Sequence, residues 1–278
     1  MKRHHATRLF AFSLTAFAIA WGSWLPALKA TGVPKLVPLL GLFAPAIAAI
    51  IVGGRSTLRD LVERLRRWRF AIRWYCVAAL LMPAVYFAAI VIEHGVRRTD
   101  LQGIWLGSSP GFLVASFAWL LFVTSGEEIG WRGYALPELL KRGMSPLIAS
   151  LVLGVIWGLW HLPLYLIPGQ SSIPYSLVFT LMIGQSLTYT ALYLRTNGSL
   201  LPAILLHATT DFGARLYHID QFTGRTWAMV DAMVLLAGAA LIRSAVASVV
   251  PVETDRAIAD IDRITSAIAV TGSREKSA

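Results

Sequence analysis

The residues best suited to chemistry in this chain are ionisable side chains that stand inside apolar stretches. Three short strings carry them: Glu127, Glu128 and Arg132 in SGEEIGWRGYALP, His161 in WGLWHLP, and His207 with Asp211 in LLHATTD. Hydrocarbon is a poor solvent for charge, so such groups persist at membrane depth only where they meet one another or line a wet cavity. The cluster therefore predicts a functional site inside a membrane protein.

The spacing within these strings assigns different tasks to the two glutamates. Residues four apart lie on one face of a helix, so Glu128 and Arg132 can neutralise each other in a place of low dielectric constant. Glu127 is turned by about 100° from its neighbour around the helix. We therefore expect Glu128 to be a structural partner of the arginine and Glu127 to be the working carboxylate.

These residue types are suited to the hydrolysis of an amide. A carboxylate beside His161 can hold a water molecule and remove its proton. His207 with Asp211 could orient the substrate carbonyl or stabilise the oxyanion of a tetrahedral intermediate. The set Glu127, His161 and His207 would equally suit zinc or another divalent metal, with one position open for water. The residues alone leave both schemes open.

Composition places this chemistry in a membrane. Of 278 residues, 56% are hydrophobic and 14% are charged, against about 25% charged in ordinary soluble domains. The 25 Lys and Arg residues exceed the 15 Asp and Glu residues by ten. Because these charges lie between long apolar runs, they indicate membrane orientation and not a nucleic-acid partner. The single cysteine, Cys76, excludes an intramolecular disulfide.

The elements that must position the site are predicted from the apolar windows. They indicate an all-α, polytopic membrane helical bundle with about eight transmembrane helices. The predicted spans are 9–28, 36–53, 70–92, 111–137, 146–167, 175–194, 200–217 and 226–242. The first is longer than a secretory signal core of about 7–15 residues, so we expect a retained helix. The fourth is expected to be the least regular, because Gly126, Gly130 and Gly133 weaken a helix around the two glutamates.

Basic residues predict the orientation of the bundle. The loop between the second and third spans carries seven arginines: Arg55, Arg59, Arg64, Arg66, Arg67, Arg69 and Arg73. Such an excess marks the cytoplasmic side, and the even number of spans then places both termini there. We expect a multi-pass protein of a prokaryotic plasma membrane. Residues 1–250 would form the membrane domain and residues 251–278 a polar cytoplasmic tail with one helical apolar face.

The arginine-rich loop itself has two interpretations. Leu58, Leu61, Val62 and Leu65 recur at helical spacing beside the basic residues, as in a short helix that lies in the membrane interface. A solvated loop that only sets topology fits equally well.

In order and spacing, the three strings resemble a known family. They are similar to the CAAX proteases and bacteriocin-processing enzymes, the CPBP or Abi family of intramembrane metalloproteases, whose pattern is EExxxR, an aromatic residue four before a histidine, and HxxxN or HxxxD. The resemblance covers about residues 111–217. It implies an intramembrane endopeptidase of the CAAX prenyl protease 2 type that acts on a peptide or protein substrate presented at the lipid bilayer.

The resemblance also implies roles for the site residues. Glu127 and His161 would activate the water, His207 and Asp211 would hold the oxyanion, and Glu128 with Arg132 completes the motif. Trp157 replaces the phenylalanine that is frequent in the family, which reads as a mild aromatic exchange. Asp211 stands where the eukaryotic enzymes usually have asparagine, and an ionised carboxylate would stabilise an oxyanion poorly.

Two other functions compete with proteolysis. A non-proteolytic protein on the same fold, such as a bacteriocin self-immunity factor or a scaffold, could retain the motifs without using Glu127. A proton-coupled transporter could also use buried Glu, His and Arg side chains, although no repeated half suggests inverted symmetry.

Overall fold

The computed structural model describes residues 2–29, 36–97, 109–166, 173–218 and 222–247, and all regular structure in these ranges is helical. The helices are α1 (Lys2–Lys29), α2 (Leu36–Arg66), α3 (Ile72–Arg97), α4 (Pro110–Gly130), α5 (Leu136–Leu140), α6 (Pro146–His161), α7 (Pro163–Leu166), α8 (Tyr175–Arg195), α9 (Leu201–Leu216) and α10 (Gly224–Ala247). A π-helical turn, Trp131–Ala135, joins α4 to α5.

Among the described residues, six helical segments are long and apolar enough to cross a membrane. They are Thr7–Pro26, Pro38–Arg66, Ile72–Val96, Pro110–Leu140, Tyr175–Arg195 and Gly224–Ala247. The prediction of an all-α, polytopic bundle is confirmed. The other two predicted spans coincide with α6 and α9, which have 16 residues each. At about 1.5 Å per residue each reaches about 24 Å, which is short of a hydrocarbon core of about 30 Å. These two short helices carry His161 and His207.

The fourth span is irregular, as expected, but the glycines have another purpose. The backbone stays helical through both glutamates and widens to π geometry only at Trp131. A Cβ added to Gly130 would lie 2.4 Å from the backbone carbonyl carbon of Pro45, and one on Gly126 would lie 2.9 Å from the carbonyl oxygen of Leu42. The glycines therefore allow α2 to approach the segment that carries the glutamates.

The arginine-rich segment is helical as far as Arg66, and Arg67 and Arg69 lie in the short connection to α3. Helix α2 continues past a kink at Gly54, whose φ of 70° favours glycine, as far as Arg66. Leu61 is buried, the Arg64 side chain donates a hydrogen bond to the Tyr193 hydroxyl, and Arg67 Nη1 donates to the carbonyl oxygen of Asn197 at 2.6 Å. Of the two interpretations, the solvated loop is therefore wrong. The helix packs on the turn between α8 and α9.

Helix α1 holds the end of α6 that bears His161. Trp21 Nε1 donates to the carbonyl oxygen of Trp160 at 2.9 Å, and Trp160 Nε1 donates to that of Ala16 at 3.3 Å. The rings of Trp24 and Trp160 also meet edge to face, with centroids 4.5 Å apart. Indole side chains that are both packed and hydrogen-bonded fix this helix end firmly.

Close contacts also set α8, α9 and α10 in place. Ser186 of α8 donates to the carbonyl oxygen of Ser150 in α6 at 2.8 Å, and Thr209 of α9 donates to that of Ala78 in α3 at 2.8 Å. A Cβ on Gly238 of α10 would lie 2.7 Å from the carbonyl oxygen of Gly184 in α8. Small residues permit this close approach, as is usual between membrane helices.

The chain divides into a compact unit, Met1–Ile242, and a second unit, Arg243–Ala278. The predicted tail at 251–278, with its apolar face, lies outside the described residues. The boundary near residue 250 stays a prediction. Cys76 is exposed on α3.

Candidate active site

Glu127 lies in the last turn of α4, where it is 4% exposed. The indole Nε1 of Trp157, on α6, donates a hydrogen bond to its Oε2 at 2.8 Å. A hydrogen bond to an ionised carboxylate is stronger than one between neutral groups. The carboxylate is therefore oriented by α6 and, as expected from the helical spacing, does not pair with Arg132.

His161 faces the same carboxylate oxygen. Its Nε2 lies 3.9 Å from Glu127 Oε2, and its Nδ1 lies 3.0 Å from the backbone carbonyl oxygen of Trp157. Since a carbonyl oxygen only accepts, Nδ1 must carry the proton, and in the neutral ring Nε2 then has a lone pair. Two acceptors cannot bond to each other directly, and at 3.9 Å they are suitably spaced to share one water molecule as donor.

Glu128 and Arg132 form the expected ion pair. Arg132 Nη1 lies 3.0 Å from Glu128 Oε1, and both side chains are fully buried. The guanidinium also lies over the rings of Trp157, 4.7 Å from the centroid, and of Tyr189, 4.3 Å from the centroid. Cation–π attraction of this kind is strongest where water is excluded, so it supports a buried arginine.

The ion pair also binds a histidine, which the sequence did not predict. Nδ1 of His207 lies 2.8 Å from Glu128 Oε1, the oxygen that also accepts from Arg132. A carboxylate in this position fixes the tautomer and the ring orientation of an imidazole. Glu128 therefore connects α4 to α9 and leaves Nε2 of His207 for other partners.

A cavity of about 270 Å³ joins these groups. Its lining includes Glu127, His161, His207 and Asp211, which the sequence predicted as site residues. Asp211 is half-buried, one turn after His207. Glu128 and Arg132 are not among the lining residues and lie behind His207. The predicted residues are thus brought together in two layers, four at the cavity wall and two behind it.

The side chains of the described residues are not grouped as a metal centre in this structure. Within the described ranges, no three His, Cys, Asp or Glu side chains are grouped so that they could hold a metal ion. Nδ1 of His161 and Nδ1 of His207 each bind a protein oxygen, as is also usual in metal-binding histidines, so Nε2 of each ring is left for water or a ligand. We therefore derive no catalytic step through a metal, and the zinc site at Glu127, His161 and His207 stays a prediction.

The sequence analysis did not single out Gln185 or Trp227, which line the cavity, and it treated Trp157 only as an aromatic residue of the motif. The exchange of phenylalanine for Trp157 adds a function, because the indole N–H donates to Glu127 and phenylalanine has no such donor. Gln185 and Trp227 lie on the cavity wall from α8 and α10. A glutamine in the middle of an apolar helix is a signal that sequence reading could have used. Trp227 stands near a span end and carried no such signal.

A serine-hydrolase motif is also present in the letters of the sequence, as GSSPG at 107–111. Ser109 precedes α4 as its N-cap, and its hydroxyl accepts from the backbone N–H of Phe112 at 3.3 Å. The hydrolase motif requires a strand before the serine and a helix after it. No strand occurs in the part of the chain that the structure describes, and Ser109 is not among the residues that line the cavity.

Comparison with known proteins agrees with this geometry. The family described as "Type II CAAX prenyl endopeptidase Rce1-like" matches residues 109–213, which contain all six predicted site residues. A CAAX prenyl protease 2 from Methanococcus maripaludis is 32% identical over 209 residues, which cover 69% of this chain and 76% of the relative. The helical membrane fold and these matches define an intramembrane protease. The chain belongs to the Rce1-like, type II CAAX prenyl endopeptidase family.

Proposed function

We propose that the protein is an endopeptidase in which Glu127 acts as the general base on a water molecule shared with His161. The observation that supports this most directly is the distance of 3.9 Å between Glu127 Oε2 and His161 Nε2. A water about 2.8 Å from each atom would direct one proton to the carboxylate and one to the imidazole. Its remaining lone pairs would face the cavity, where a substrate carbonyl carbon can approach.

The proposed reaction balances without a further reagent. As the water oxygen bonds to the carbonyl carbon, Glu127 takes one water proton and the carbonyl π electrons move to the carbonyl oxygen. When the tetrahedral intermediate collapses, the C–N bond breaks and Glu127 returns the proton to the leaving amine. The products are a carboxylic acid and an amine, and the carboxylate of Glu127 is regenerated.

His207 is suited to the developing oxyanion. Its Nδ1–H donates to the Glu128 carboxylate, so Nε2 carries a proton only when the ring is an imidazolium, and in that form it can donate to the substrate oxygen. The charges of Glu128 and Arg132 balance each other behind the ring. Asp211 also lines the cavity, but a carboxylate would repel an oxyanion. We therefore assign it as an acceptor for a substrate N–H group.

The proposed substrates are proteins or peptides presented at the membrane. Membership of the family supports substrates that end in a carboxyl-terminal CAAX sequence. The relative from Methanococcus maripaludis is named a CAAX prenyl protease. We propose the same substrate class here. We also propose that the arginine-rich helix and both termini face the cytoplasm of a prokaryote.

Substitution of the base tests this proposal. Glu127→Gln keeps the shape of the side chain and can still accept from Trp157, but it cannot take a proton, so cleavage should be abolished while the protein stays folded. The assay is mass spectrometry of prenylated and unprenylated CAAX peptides after incubation with the protein in liposomes. Glu63→Gln is the matched control, because Glu63 is 69% exposed and pairs with Arg67 only at 4.0 Å.

The outcomes separate the competing functions. Full cleavage by the Glu127→Gln variant would refute the general-base role. A protein that fulfils its biological task in the native host without Glu127 would instead be a scaffold or self-immunity factor. A metal requirement is tested separately: a strong chelator should silence the wild type, and zinc should restore it, only if a metal takes part.

A further inference from the structure

Gln185 is a buried amide without a complete set of partners. It lies on α8, is 4% exposed, and lines the cavity that contains Glu127 and His161. Its Nε2 is itself buried and has no hydrogen-bond partner among the described residues. A buried donor that loses water and gains no acceptor is unfavourable, so an amide in this place calls for an explanation.

A second unpaired donor lies on the wall of the same cavity. Trp227, on α10, is 2% exposed, and its indole Nε1 also lacks a partner within the described part of the chain. The other residues of α8 that line the cavity are apolar, namely Val178, Leu181 and Met182. Gln185 and Trp227 thus bring two donors without acceptors to the cavity, and a ligand with acceptor oxygens would match them.

We propose that Gln185 and Trp227 form a subsite that binds carbonyl oxygens of the substrate peptide backbone. An extended peptide presents such oxygens on both sides of the scissile bond, and burial leaves them in need of donors. The terminal torsion of glutamine is broad, so the amide can turn toward an entering peptide at little cost. Gln185 and Trp227 would thereby hold the peptide so that its scissile bond lies next to the water shared by Glu127 and His161.

This inference rests on the proposed peptidase function, so its test measures binding apart from cleavage. In the Glu127→Gln background, the Kd of a fluorescent CAAX peptide is measured by anisotropy in detergent, with and without Gln185→Met. Methionine keeps the volume and removes the polar group. Loss of one neutral hydrogen bond should weaken binding about 3- to 10-fold. Trp227→Phe should weaken it by a similar factor.

Thermal stability distinguishes a binding role from a structural one. Because the donor of Gln185 is unpaired in the free protein, Gln185→Met should leave the Tm unchanged or raise it. The control is Thr188→Val on the same helix, where the hydroxyl already bonds to the carbonyl oxygen of Gly184 at 3.3 Å and does not line the cavity. The control should leave the Kd unchanged.

The proposal would be overturned by an unchanged Kd in Gln185→Met, by a fall in Tm that parallels the weaker binding, or by an equal change in the Thr188→Val control. Failure of the wild type to cleave any peptide, with normal peptide binding, would instead count against the proposed function alone. A peptide amidated at its carboxyl terminus identifies the bound oxygen. If the effect of Gln185→Met disappears with this peptide, the subsite binds the terminal carboxylate and the backbone assignment is wrong.

Discussion

Trp157 offers the sharpest test of how the site is built. The family commonly has phenylalanine at this position, yet here the indole N–H donates to the carboxylate that we propose as the base. Replacement of Trp157 by phenylalanine removes that donor. It retains an aromatic ring beside His161 and His207, whose centroids lie 5.6 Å and 5.4 Å from that of Trp157.

The size of the effect follows from the geometry. The bond from Trp157 Nε1 to Glu127 Oε2 is 2.8 Å long and fully buried. A hydrogen bond to a charged group contributes about 1.5–3 kcal/mol. If that energy is used to hold the carboxylate in its reactive position, kcat should fall about 10- to 150-fold. Since the ring that faces the cavity is largely retained, KM should change less than kcat.

Peptide cleavage by purified protein in liposomes gives kcat and KM. Trp119→Phe is the control for the exchange itself, because Trp119 is 49% exposed and does not line the cavity. Since phenylalanine is smaller than tryptophan, benzothienylalanine at position 157 supplies a second comparison that keeps the bicyclic ring and lacks the N–H. Wild-type kcat with this isostere would show that the indole N–H does not position Glu127.

Three further predictions concern the bundle. Arg132→Ala should lower the free energy of unfolding in detergent by about 3–5 kcal/mol, because the buried carboxylate of Glu128 loses its ion-pair partner and keeps only His207. Unchanged thermal stability would refute burial of the pair. Gly130→Ala should destabilise the protein by about 1–3 kcal/mol, because the added Cβ would meet the backbone of Pro45. Gly22→Ala is the control and should not destabilise it, because a Cβ there meets open space. Equal melting temperatures of the two variants would contradict this packing. A topology reporter fused after the last residue should be active only in the cytoplasm, and activity only outside the cell would reverse the orientation.

The sequence predicted the helical membrane bundle because the signal is local. Each long apolar run must satisfy its backbone hydrogen bonds internally in lipid, and only a helix does so within one segment. The sequence predicted the number of long spans less well, because α6 and α9 are apolar but have only 16 residues each. Short helices of this kind depend on neighbours for their position, and hydropathy does not report those neighbours.

The pairing within each string was equally local. Glu128 and Arg132 meet because they are four residues apart on one helix, and Glu127 is turned away for the same reason. The order and spacing of the three strings were sufficient to indicate the family. These features depend only on helical geometry and residue type, which the sequence contains in full.

Contacts between helices were decided by the tertiary structure alone. The bond of His207 to Glu128 joins residues 79 apart in the chain, and that of Trp157 to Glu127 joins residues 30 apart. Neither spacing is a helical repeat, so nothing local indicates which ring reaches which carboxylate. The position of Gln185 on the cavity wall depends likewise on how α8 packs against α6 and α10. The sequence determined which groups could do chemistry, and the packing of small residues between helices decided which of them meet.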